Sequence, residues 1–164
     1  MKRITIGGKE YTIEFSLDAT LYNECTEKVM DMITSVGMAE AEYSDEDKDA
    51  REKTEYAVNT VVKNISDIPQ RALILFYAGL LENHGASGDN TVKSKADAKA
   101  LMIQYLRENE GKSLYDVMNE MMQEIVNDHF FEMIGVDKMM ENANKEVSRQ
   151  VKTPQDHLKK AGNN

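Results

Sequence analysis

Apolar and polar residues alternate singly at the start of the chain. Ile4 and Ile6 flank Thr5, and Tyr11, Ile13 and Phe15 are spaced by Thr12 and Glu14, with Gly7-Gly8 between the two runs. Period-two patterning on both sides of a glycine pair predicts a β-hairpin over residues 1–15, because both central positions of a type I′ turn need positive φ. A lone two-stranded hairpin is marginal in water, so its apolar face must lie on the next helix or on another copy of the protein.

From Leu17 the period lengthens. Leu17, Leu21, Tyr22, Cys25, Val29, Met32, Ile33 and Val36 recur at spacings of three and four, predicting one long amphipathic helix with Ser16 as N-cap and Gly37 as its stop. A second helix is expected from the Ser44/Asp47 pair through Ala57, Val58, Val61, Val62 and Ile65 to about Asp67. Pro69 then suits the first turn of a third helix, whose stretch from Ala72 to Leu81 is apolar on almost every side and reads as the buried centre. After the loop NHGASGDNT, Ser94 with Asp97 opens a fourth helix ending near Gly111. Ser113 with Asp116 opens a fifth, running from Leu114 to Ile134 and stopped by Gly135. A weaker sixth helix runs from Val136 toward Gln150. The expected fold is mainly α, a hairpin followed by a bundle of five to six helices, with residues 1–150 as a single domain. Residues 151–164 lack apolar periodicity and read as a flexible basic tail.

Composition narrows the possible functions. The 164 residues include 29 acidic and 20 basic ones, a formal charge of −9, which disfavours nucleic acid as a partner of the body of the molecule. The charge is uneven. Residues 39–56 carry eight acidic and three basic residues, while 145–160 carry five basic and two acidic. Asp45, Asp47 and Asp49 have the alternation of a calcium loop, but Ala50 stands where glycine is required and Tyr56 where a bidentate glutamate is required. A solvated helix start explains the run better. Cys25, the only cysteine, lies on an apolar face and is expected in the core, so no intramolecular disulfide forms and a reducing compartment is the natural setting. No signal-peptide pattern is visible, and the longest apolar run falls short of the roughly 20 residues that span a bilayer. A soluble cytoplasmic protein without membrane contact is expected.

Candidate chemistry is sparse. The Gly7-Gly8-Lys9 triplet fails as a phosphate loop, since Glu10 follows where serine or threonine is needed and the chain enters a strand rather than a helix. His84, His129 and His157 are scattered without ligand spacing. No cofactor, metal or catalytic motif is expected. The distinctive feature is methionine: Met118, Met121, Met122, Met133, Met139 and Met140 fall within 23 residues, together with Phe130 and Phe131. Flexible, polarizable thioethers adapt to varied apolar partners, and with Leu114, Val117, Ile125, Val126 and Ile134 the fifth helix is apolar over more than one buried stripe requires. Met118, Met121, Met122, Ile125, Phe130, Phe131, Met139 and Met140 are therefore the candidate client-binding residues. Ile4, Ile6, Tyr11, Ile13 and Phe15 of the hairpin are the candidates for self-association.

The opening stretch ITIGGKEYTIEFS, leading straight into a long helix, resembles the tail assembly chaperones of long-tailed (siphovirus-type) bacteriophages. Their sequences open with an I-x-I-x-G-K-x-Y-x-(I/L)-x-F pattern, matched here by Ile4, Ile6, Gly8, Lys9, Tyr11, Ile13 and Phe15. The resemblance covers about the first two dozen residues; the remainder agrees in size, helicity and charge. It implies a non-enzymatic, self-associating protein of the host bacterial cytoplasm, absent from the mature virion. Such a protein binds the tape measure protein, keeps it soluble and helps recruit tail tube protein during virion morphogenesis. It also implies a longer form made by programmed frameshift, with Lys159-Lys160 compatible with a lysine-codon slippery site. The basic tail could then meet the acidic 39–56 segment of another copy. Two other classes compete. An acidic regulatory protein occupying a basic host-protein surface would concentrate its carboxylates in one stripe, and a small helical enzyme would show converging titratable groups in a pocket.

Overall fold

A computed structural model describes residues 1–44, 50–136, 138–139 and 141–142, with side chains for all of these except 35–44, 50, 52–57 and 61. The protein is mainly α-helical, an N-terminal antiparallel hairpin followed by six helices among the described residues. Strands β1 (Lys2–Ile6) and β2 (Lys9–Ile13) pair with Ile4 opposite Tyr11 and Ile6 opposite Lys9. Gly7 and Gly8 have φ of 59° and 76°, the doubly positive backbone that a two-residue turn between twisted strands needs. Ile4, Ile6, Tyr11 and Ile13 point inward and are buried, while Arg3, Thr5 and Glu10 face out.

The first long helix is interrupted. α1 (Leu17–Leu21) ends at Tyr22, whose extended backbone (φ −83°, ψ 94°) precedes α2 (Asn23–Ser44). The Tyr22 ring sits edge-on to Tyr77 at 5.4 Å, and the Cys25 N–H returns to the Tyr22 carbonyl at 2.9 Å. A contact 55 positions away thus sets a break that periodicity alone does not register. Ser16 occupies the N-cap position without capping; its hydroxyl donates instead to Glu82. Gly37 does not stop the helix. Glycine ends a helix by turning left-handed, and Gly37 stays helical at a cost of about 1 kcal/mol relative to alanine.

The second and third expected helices are one. α3 (Ala50–His84) runs 35 residues with Pro69 inside it. Proline removes the donor that would reach the Ile65 carbonyl, a loss of about 3 kcal/mol. The Arg71 guanidinium bridges this turn, donating to Asn64 Oδ1 at 3.4 Å and Asp67 Oδ2 at 3.3 Å. Beyond it, Ala72, Ile74, Leu75, Phe76, Ala78 and Leu80 are all buried, and burial at 1.5–3 kcal/mol for each large side chain outweighs the local penalty. The Ser44/Asp47 cap expected between the helices involves Asp47, which lies outside the described residues.

α4 (Lys95–Glu108) and α5 (Leu114–Asn127) start where their capping residues predict. The Ser94 hydroxyl accepts from the Asp97 N–H, and Ser113 with Asp116 forms a complete capping box. The fifth helix does not reach Ile134, however. Asp128 and His129 form a turn, His129 at φ 57°, before α6 (Phe130–Ile134). At about 100° per residue, a continuous helix would aim Phe130 roughly 180° from Met121. The turn swings it back, so that Phe130 is buried edge-on to Phe15 at 6.2 Å.

The core of the first compact unit, Met1–Phe130, forms where β2 lies across α3. A Cβ on Gly79 would stand 2.8 Å from Ile13 Cγ2 and 3.4 Å from the Phe15 ring, so only glycine permits this approach. The Glu14 N–H completes it with a 2.8 Å bond to the Gly79 carbonyl. The second unit, Phe131–Asn164, contains the rest of α6, a turn at Gly135 (φ 75°) and helical backbone at 136, 138–139 and 141–142. The expected flexible tail, 151–164, and most of the expected sixth helix lie outside the described residues.

Candidate interaction surfaces

The hairpin is held by polar latches at both ends. The Gly7 N–H donates to the Glu108 carboxylate at 2.9 Å, and Gln104 supports that carboxylate at 2.8 Å. Lys2 Nζ meets Glu120 at 3.0 Å, where Tyr105 Oη (3.1 Å) and Lys112 also converge. Burial works to raise the Glu120 carboxyl, but Lys112 and Lys2 outweigh it and hold the group below its ordinary value. The Phe15 N–H donates to Asp128 Oδ2 at 2.9 Å, tying the end of α5 to the exit of the hairpin.

One histidine-carboxylate pair resembles an acid-base dyad, and its geometry assigns it another task. His84 Nδ1 lies 3.1 Å from Asp89 Oδ2, while Nε2 lies 2.9 Å from the Thr12 main-chain nitrogen. A main-chain N–H only donates, so Nε2 accepts and the proton resides on Nδ1. The lone pair that a general base would use is committed to closing the edge of β2. Hydrogen bonds from the Thr91 hydroxyl, then the Thr91 N–H and His84, hold the Asp89 carboxyl down at about 2.

The self-association candidates Ile4, Ile6, Tyr11, Ile13 and Phe15 are all buried inside this unit. Their side chains form the hairpin's own seat, β2 on α3 and β1 on α4, rather than a surface for a neighbour. What the hairpin leaves outward is main chain. With Ile6 and Lys9 closing the two-residue turn, the register directs the N–H and C=O groups of Arg3 and Thr5 away from β2.

The methionine-rich face divides in two. Met118, Met121, Ile125 and Phe130 are buried, the last three completely. These four candidate client residues are core, because α5 packs along α3 on the stripe that carries them. Met122, about 100° further round α5 than Met121, is half-buried at the edge of a stripe with exposed Tyr115, Asn119 and Val126 at spacings of four, three and four. In the second unit Phe131 is half-buried and Met133 and Met139 are exposed; Met140 lies outside the described residues. Tyr115 is the member of the α5 stripe that sequence reasoning missed. Its spacing from Met122 and Val126 would have revealed it had the two faces of the helix been traced separately.

Two further apolar sets face outward. Leu17 and Leu21 are exposed on α1, and Val58, Val62 and Ile65 are 56%, 57% and 61% exposed on α3. The adjacent pair Val61-Val62 signals more than one apolar face, since neighbours in sequence sit about 100° apart on a helix. Among the described residues no cluster of three or more histidine, cysteine, aspartate or glutamate side chains is arranged for a metal, and no helix is long and apolar enough to cross a membrane. The chain matches no protein-family model, no curated protein and no solved structure.

Proposed function

We propose that this protein is a tail assembly chaperone of a long-tailed bacteriophage, a non-enzymatic binder of the tape measure protein acting in the host cytoplasm. The observation that carries the reading is the outer stripe of α5. Tyr115 and Val126 stand outward, with half-buried Met122 between them at helical spacing, on a helix whose inner face is already packed. A second apolar face on one helix suits an amphipathic client helix, and the methionine thioether lets the contact adapt to changing client sequence. The −9 charge keeps such a complex dispersed. The opening pattern also acquires a physical meaning, since its apolar members seat the hairpin on α3 and α4 and its glycine makes the turn. Tail tube protein is the second proposed partner.

The test is co-expression with a tape measure fragment. The wild-type protein should move the fragment into the soluble fraction. Met122→Glu with Val126→Glu should abolish that effect while leaving the helical circular dichroism spectrum intact. A fragment that stays insoluble beside the wild-type chain overturns the proposal.

A further inference from the structure

The charges of α5 are confined to one flank. At about 100° per residue, with fully buried Met121 aimed at the core, Met122, Tyr115, Val126 and Asn119 fall within an arc of about 60°. Asp116, Glu120 and Glu124 fall on the opposite flank, and each is already engaged. Asp116 closes the capping box with Ser113, Glu120 meets Lys2 at 3.0 Å and also Lys112, and Glu124 lies 3.2 Å from the Met1 amine. The outer arc therefore presents a phenol, an amide and two apolar side chains, and no residue of α5 offers it a free charge.

We infer that this arc selects its client by exclusion, taking an amphipathic helix whose contacting ridge is uncharged and rejecting one with a charged side chain on that ridge. The inference rests on the chaperone reading for the kind of partner and adds which client segments bind. A charge laid on the arc would leave water without meeting an opposite charge, the costly way to bury an ion. Asparagine, glutamine, serine or threonine on the ridge finds partners instead, since the Asn119 amide and the Tyr115 hydroxyl each donate and accept. Met122 and Val126 take the apolar positions between, the thioether following their shape. A basic segment is the occupant that the −9 charge attracts from a distance. At contact it finds every α5 carboxylate committed on the other flank, so the attraction does not become binding. Discrimination between client segments is then a difference in desolvation, which salt leaves almost unchanged.

Fluorescence anisotropy with labelled helical peptides of about 20 residues, long enough to hold a helix, reads the selection. One peptide carries glutamine at the centre of a leucine-alanine face. Two others carry lysine or glutamate there, and two controls carry the same charges on the far face. The glutamine-ridge peptide should bind the full chain with a dissociation constant that changes less than about threefold between low and high salt. Lysine or glutamate on the ridge should weaken binding about tenfold or more, whereas the far-face controls should stay within about threefold of the parent. Asn119→Asp, at an exposed position, should reverse the order by weakening the glutamine-ridge peptide and rescuing the lysine-ridge one. The inference is overturned if no peptide binds, if the lysine-ridge peptide binds the wild-type chain as tightly as the glutamine-ridge one, or if Asn119→Asp changes neither. A chain that binds the glutamine-ridge peptide selectively but leaves the tape measure fragment insoluble supports this inference and retires the chaperone reading. One that dissolves the fragment yet prefers a charged ridge retires this inference alone.

Discussion

Gly79→Ala tests how β2 is seated on α3, because two opposing effects meet at that position. In an unobstructed helix the change should stabilise by about 1 kcal/mol, alanine being the better helix former. Here the new Cβ would lie 2.8 Å from Ile13 Cγ2, where carbon atoms normally stand 3.5–4.0 Å apart. Overpacking of this kind costs about 1–3 kcal/mol. Relief requires the strand to rise by about 1 Å, which would stretch the 2.8 Å bond from Glu14 N–H to the Gly79 carbonyl and remove roughly another 1 kcal/mol. Sterics should win, with a net destabilisation of about 1–3 kcal/mol in urea unfolding. Ala100→Gly, on the exposed face of α4, calibrates the propensity term in the same protein. The double variant with Ile13→Ala should be less unstable than the sum of the single changes by about 1–2 kcal/mol, since the added methyl enters the space that Ile13 vacates. If Gly79→Ala proves as stable as the wild type or more so, the close approach of hairpin and helix is refuted.

Pro69→Ala should stabilise by about 1–3 kcal/mol by restoring a donor to the Ile65 carbonyl, with slower amide exchange across residues 60–69 as the readout. Met121→Ala should cost about 2–5 kcal/mol and Met122→Ala less than about 1, a contrast that chemical denaturation resolves and that follows from full burial of the first and half-burial of the second. Ser113→Ala should lose about 1 kcal/mol, as the capping box loses the hydroxyl that accepts the Asp116 N–H. Acid should destabilise through the depressed carboxylates. Asp89, Asp97, Asp116, Glu108 and Glu120 all sit below their ordinary values, so their contribution is complete above pH 4.5 and lost as pH falls. For Asp89 the loss spans 3.8 down to about 2, and Asp89→Asn should flatten that part of a stability–pH curve.

The features legible in the sequence are those decided within a few residues. The Gly7-Gly8 turn needs only two positive φ values, and the Ser94/Asp97 and Ser113/Asp116 caps are bonds across three positions. Misplaced boundaries arose where distant burial overrode a local preference. Pro69 and Gly37 are ordinary stop signals, yet each costs only about 1–3 kcal/mol, and at Pro69 the packing of 72–80 exceeds that. The break at Tyr22 answers to Tyr77, 55 positions away, and the one at His129 brings Phe130 to Phe15, 115 positions away. Surface assignment failed for a related reason. Periodicity reports that a helix has an apolar face, but on α5, apolar over more than one stripe, only the position of α3 decides that Met121 is core and Met122 half-buried.

The seat of the hairpin also constrains how the molecule can meet others. Freeing Ile4, Ile6, Tyr11, Ile13 and Phe15 for a neighbour would expose five buried side chains at about 1.5–3 kcal/mol each. That sum, on the order of 10 kcal/mol, equals the whole stability of a typical domain. Swapping or lifting the hairpin therefore amounts to unfolding the first unit, and the hairpin has only its β1 edge to offer, at Arg3 and Thr5. Arg3 lies 3.5 Å from Glu10 across the exposed face, and exposed charges on an edge strand discourage strand addition. Contacts with any partner consequently fall to the helices, where apolar side chains on α5 and α3 are exposed at no cost in folding.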